Sequence, residues 1–304
     1  ADHILVSGTA RLNASGPAGG GEILVGGSWQ NSDPSLHQAI TTTVEAGAVL
    51  DASATRQGDG GTVVVWSDIT NPAGVTSVSG SLRAMGGVDG GNGGRIETSG
   101  YQLNTGDLQI NASAAQGLAG LWLLDPTNVT ISTNASSGGS LSSALGQAGV
   151  SNINTTDIQS AINAGTSVNV VASGSITQQA ALTFNVAAGG QTPTLTLNNS
   201  SGSKQDITLA AITDSTTATG SGVNLDVRSS GGAIISGGAI SVRGSITLDN
   251  TWGCSGSGCA PVTGYITSSN FSSLATTTTH GVRFTGNLTA GTGITLKGAS
   301  YSAY

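Results

Sequence analysis

The chain has 304 residues, of which 48 are Gly, 41 Ser and 38 Thr, and only 25 carry a formal charge, for a net charge of −7. So much Gly and Thr excludes long helices, and so few charges exclude an ordinary globular enzyme surface. Recurring Val, Ile, Leu and Ala exclude a disordered tail, which leaves an all-β chain of short strands and tight turns.

The chain opens on a strand, Ile4-Leu5-Val6, with no basic segment leading into an apolar one, as a signal peptide would require. The expectation is a processed product or a piece of a longer polypeptide. A two-strand unit then recurs three times. Its first strand reads Ala10–Ser15, Ala48–Ser53 and Ser81–Met85; its second reads Gly21–Gly26, Gly61–Trp66 and Gly94–Ser99. Leu12, Leu50 and Leu82 are 38 and 32 residues apart; Ile23, Val63 and Ile96 are 40 and 33 apart. The two series keep step, so insertions fall between the strands. Units this small cannot bury their own apolar side chains, and stacking them into a solenoid does. Sandwich and jelly-roll folds are the alternatives for a Gly- and Val-rich all-β chain.

Further along, Thr155–Gly165 reads as a short helix. Thr155 or Thr156 would cap it, Ile158, Ala161 and Ile162 share a face, and Gly165 suits the position after its end. Two turns cannot stand alone in water, so the helix must pack on the solenoid. It is expected as an extra-helical element near residues 156–164, reached through a Ser/Gly-rich excursion. Strands resume at 168–171, 175–177, 182–184, 194–197, 206–209, 223–227, 233–235, 239–242, 245–248, 282–284, 287–288 and 293–296, several in the alternating form Ile-Thr-Leu. The organisation read from this pass is 1–131 as repeat coils, 132–166 as the excursion with its helix, and 167–304 as continued coils. At about 22 residues and 4.8 Å per coil the chain would make about 14 coils in a rod of about 65 Å.

Chemical signals are sparse. Nine basic residues without a cluster exclude a phosphate-binding stripe, and with it nucleic acid. No run of about 18 apolar residues is present. Cys254 and Cys259 flank a Ser/Gly spacer, which suits a small disulfide loop; two free thiols in a surface loop are the alternative. The isolated Asp33, Asp51, Asp59, Asp68, Asp89 and Asp107 read as turn residues. Gly86–Gly94 holds one copy of a Ca²⁺-loop-like pattern where several tandem copies are needed. No metal, cofactor or catalytic residue is assigned. Trp29 and Trp252 are candidate glycan contacts, although covering the core under loops is the plainer role for both and for Trp66.

Gly90–Gly100 followed by Gly120–Ile131, together with the strands at 49–53 and 60–68, resembles the filamentous-haemagglutinin-type exoproteins of two-partner secretion. Trp122-Leu123-Leu124-Asp125-Pro126 is the most specific part, and the likeness spans roughly residues 10–250. It implies a right-handed parallel β-helix, export through an outer-membrane partner pore, and an adhesive or biofilm role at the surface of a Gram-negative bacterium. The five motif residues are read as structural, with Pro126 ending its strand. The functional expectation is a non-catalytic extracellular stalk or matrix filament that associates head to tail and can meet a host or matrix receptor. A carbohydrate-binding module and a polysaccharide-active enzyme on the same fold are the alternatives.

Overall fold

A computed structural model describes residues 1–133, 150–187, 189, 191–199, 205–230, 234–249 and 288–297, and the backbone of the strands at 265–269 and 281–285. The strands form four sheets, all with parallel pairing. An eleven-stranded sheet and a nine-stranded sheet run the length of the described chain. A third wall consists of two four-stranded sheets. Each coil visits the eleven-stranded sheet, the third wall and the nine-stranded sheet in turn. In the second coil these strands are Thr41–Val44, Val49–Asp51 and Thr62–Trp66. The molecule is thus an all-β parallel solenoid.

The repeat read from the sequence is the register of the sheets. Leu12 lies beside Leu50 and Leu50 beside Leu82, while Ile23 lies beside Val63 and Val63 beside Ile96. A fourth copy continues both series at Ile110 and Trp122. All these side chains from Leu50 onward are buried in one core, and Leu12 packs against it. Between the two strands of each unit the chain turns through Ala and Gly. Gly21, Gly61, Gly94 and Gly120 donate their N–H to the carbonyls of Ala14, Ala52, Ala84 and Ala112 at 2.7–2.8 Å. Glycine is required at this corner because coils meet backbone to backbone. A Cβ on Gly93 would run into the Ala112 carbonyl, and one on Gly94 into the Gly61 carbonyl.

Among the described residues the sheets are shorter than the expected rod. The nine strands of one long sheet span eight steps, about 38 Å, and the eleven of the other about 48 Å. Loops take residues that the 22-residue estimate assigned to coils. The eleven-stranded sheet also receives strands out of turn. Asn128–Ser132 skips a level, and Val150–Asn154 returns to fill it, pairing with Gln102–Thr105 on one side and Asn128–Ser132 on the other.

The helix, Thr155–Asn163, follows directly and is not outside the coil. It takes the place of a strand in the third wall, contacting Gln109–Asn111 at the end of one four-stranded sheet and Leu182–Phe184 at the start of the other. Ile158, Ala161 and Ile162 enter the common core. The cap is Asn154 rather than either Thr: it ends a strand in extended conformation, and its Oδ1 accepts the Thr156 N–H at 3.0 Å. Gly165, at φ +88°, ends the helix in the left-handed region that favours Gly. Asp157 accepts the Leu108 N–H at 3.2 Å, and burial raises its carboxyl to about 6.

Candidate functional site

Along the nine-stranded sheet, alternate residues point into the core and away from it. The outward positions of a solenoid wall are ordinarily solvated. In Thr62–Trp66, however, every residue is buried, and so are four of the five in Arg95–Ser99. The cause is the connection from Val25 to Thr41. Its residues 27–39 fold back over the outer face of the sheet.

Four anchors hold this strap. The backbone N–H of Gln30 donates to Glu97 Oε2 at 2.7 Å, two strands away from where the strap leaves the sheet. The Trp66 indole Nε1–H donates to Gln38 Oε1 at 3.0 Å. Gly27 lies against the Trp66 ring so closely that a Cβ would overlap it. The Arg95 guanidinium sits 4.6 Å from the centroid of the Trp29 ring, a cation–π stack. At the contact with Glu97 the backbone is strained: Gln30 and Asn31 have φ of +49° and +52°, two successive non-glycine residues in the left-handed region.

The electrostatics follow from the burial. Glu97 is fully buried, and its Oε1 accepts the Ser99 hydroxyl at 3.0 Å. Desolvation raises its carboxyl from 4.5 to about 7, against the two hydrogen bonds, with Asp125 adding repulsion. Asp125 is on the next strand, paired with Ser99, and desolvation lifts it to about 6. No hydrogen bond reaches its carboxylate among the described residues. Two carboxyl groups on one sheet face could in principle share acid and base roles. Here both oxygens of Glu97 accept hydrogen bonds from protein donors under the strap, one from the Gln30 N–H and one from the Ser99 hydroxyl. Among the described residues no three His, Cys, Asp or Glu gather as metal ligands.

The motif residues divide by direction. Trp122 and Leu124 point into the core, where the Trp122 Nε1–H donates to Thr98 Oγ1 at 3.0 Å. Leu123 and Asp125 lie on the outer face, Leu123 buried beside Glu97 and Asp125 half-buried. The strand ends at Asp125, immediately before Pro126. Trp29 is half-buried in the strap; Trp252, Cys254 and Cys259 lie outside the described residues. Turn roles hold for Asp33, Asp51 and Asp68, each accepting the N–H two residues on at 2.9 Å. The electrostatic coupling of Glu97 to Asp125 escaped the sequence reading, since Glu97 occupies an outward position and nothing in its neighbourhood announces a cover. Compared with protein-family models and with curated proteins, the chain matches none.

Proposed function

We propose that this chain is an extracellular structural rod: a right-handed parallel β-helix of the filamentous-haemagglutinin type that serves as an adhesin stalk or surface filament. The supporting observation is continuity. Both long sheets pair strand to strand from the first coil to the last described one, so the backbone ladder itself is the mechanical element. The core is a thin column of Val, Ile and Leu. The later outward positions of the nine-stranded sheet are mainly Asn, Thr, Asp and Ser, which keep the wall soluble.

In this reading the protein is exported through an outer-membrane partner and joins further copies head to tail, the parallel ladders of the two long sheets continuing from copy to copy. Electron microscopy of the native assembly is the test. Rods or continuous fibres with an axial repeat near the inter-strand spacing of about 4.8 Å are expected. Compact particles, together with only monomers by light scattering at high concentration, would overturn the reading. A glycan-binding role draws on one observation, the half-buried Trp29 ring at the surface of the strap. A glycan array comparing the parent with Trp29→Ala separates a binding module from a bare scaffold.

A further inference from the structure

We propose that the level of the solenoid filled by Val150–Asn154 and the helix is a flexing joint. Residues 1–125 tilt there as a block against the coils from Ser167 onward, and the nine-stranded sheet is the hinge line. The inference rests on the hydrogen-bond pattern between coils and not on the use proposed for the rod.

Two series of cross-coil bonds run up the early coils. On the side of the nine-stranded sheet, Thr62, Arg95, Leu121 and Ser167 donate their N–H groups to the carbonyls of Gly21, Gly61, Gly94 and Gly120, all at 2.9 Å. This series passes the level of the helix unbroken. In the third wall, Ala14, Ala52 and Ala84 donate to the carbonyls of Asp51, Arg83 and Asn111 at 2.8–2.9 Å. The fourth member, Ala112, finds no carbonyl and donates to the Thr166 hydroxyl at 2.8 Å. Its neighbours do the same. The Leu108 N–H donates to Asp157 Oδ1 at 3.2 Å, and the Leu103 N–H to the Ser151 hydroxyl at 2.8 Å. In the other direction the Asn154 N–H reaches the Thr105 hydroxyl at 3.4 Å. Gln102–Thr105 and Val150–Asn154 share a single register pair, Asn104 with Asn152, whereas the next step of the same sheet has five.

The cause is the element that fills the third wall. A helix spends its carbonyls on its own turns, so the amides of the coil facing it must find side chains. Peptide groups in a ladder fix both the spacing and the angle of adjacent coils. A side-chain oxygen swings about its own torsions and keeps a bond made while that angle changes. Two of the three walls are therefore compliant at this level. The third is not: Leu121–Leu124 pairs in full with Ser167–Val170, and Leu121–Asp125 with Arg95–Ser99. The seam also carries a bonding deficit, since the buried Asp157 Oδ2 has no hydrogen-bond partner among the described residues. Ile158, Ala161 and Ile162 stay in the common core across the joint, so the motion is a tilt and not a separation of the two blocks.

Hydrogen exchange on the full chain at one pH, with guanidinium raised through low concentrations, is the test. The amides of Leu103, Leu108 and Ala112 should exchange through one shared opening, with the same denaturant dependence. Their protection should be about tenfold or more below that of Ala84, the equivalent of Ala112 one coil earlier, and of Ser167 on the hinge line. Thr166→Val removes only the acceptor of Ala112. In a joint that opens as a unit it should speed exchange at Leu103, Leu108 and Ala112 together, by about fivefold, and leave Ser167 unchanged. Thr166→Ser keeps the hydroxyl and should behave as the parent. If Thr166→Val does not fold, the denaturant dependence in the parent decides. Protection of the three amides equal to that of Ala84, three unrelated openings in the parent, or a variant effect confined to Ala112 or spread equally to Ser167 would overturn the proposal.

Discussion

The outer face of the nine-stranded sheet has two different halves. In the strands from Ser167 to Asp249, burial alternates almost without exception, and the outward residues are Asn169, Thr196, Asp226 and Thr247. In the strands from Thr62 to Asp125, the same outward row reads Val64, Glu97 and Leu123, and all three are buried. Both halves hang on the same parallel ladder and bury the same kind of inward row. The strap of residues 27–39 lies over the first two of the strands from Thr62 to Asp125, at Trp66 and at Glu97. A solenoid wall is thus a neutral platform; a single long connection converts part of it into a second, smaller core with a carboxylic acid inside.

The comparison can be broken or sharpened by experiment. The largest expected effect is on the inward row, which both halves share. Trp122→Ala removes a fully buried side chain from the main core and should cost about 3–5 kcal/mol in denaturant unfolding. Next is the acid under the strap. Its native carboxyl titrates above its unfolded value, so its favourable contribution is complete below about pH 4.5 and is lost as pH rises to about 7. Stability should fall by about 3 kcal/mol over that interval, and Glu97→Gln should flatten the profile. Asp125 steepens the same trend between about 4 and 6.

Smaller effects test the corners and the open wall. Gly93→Ala places a methyl group against the Ala112 carbonyl and should destabilise by about 1–3 kcal/mol. Asn154→Ala removes the helix cap and should cost about 1 kcal/mol. Thr247→Ala, on the uncovered half, should change the unfolding free energy by no more than about 0.5 kcal/mol. A large loss there would mean that the open wall is packed against something in the folded protein.

Much of the fold was legible. The spacing of Leu12, Leu50 and Leu82 against Ile23, Val63 and Ile96 gave the register of two walls, because insertions moved both series together. Ile-Thr-Leu alternation placed the later strands. Less visible were the strands of the third series, such as Thr41–Val44 and Val75–Val78, where Thr and Ser obscure the apolar signal. The helix was placed by its apolar face and Gly165, but its position in the wall depended on a strand that skips a level. The candidate site was hidden for a related reason. Glu97, Ser99 and Asp125 occupy outward positions, and a local pattern of alternation assigns such residues to solvent.

By itself the sequence determined an all-β stack, its register and the glycines at its corners, since each depends on periodicity and on steric demands between adjacent coils. Tertiary structure alone decided that the outward face near Glu97 is dry. That outcome requires a segment 67 residues earlier in the chain to settle across two strands, and no property of either segment in isolation encodes the meeting. Burial, not residue type, turned an ordinary glutamate into a group that titrates near neutrality.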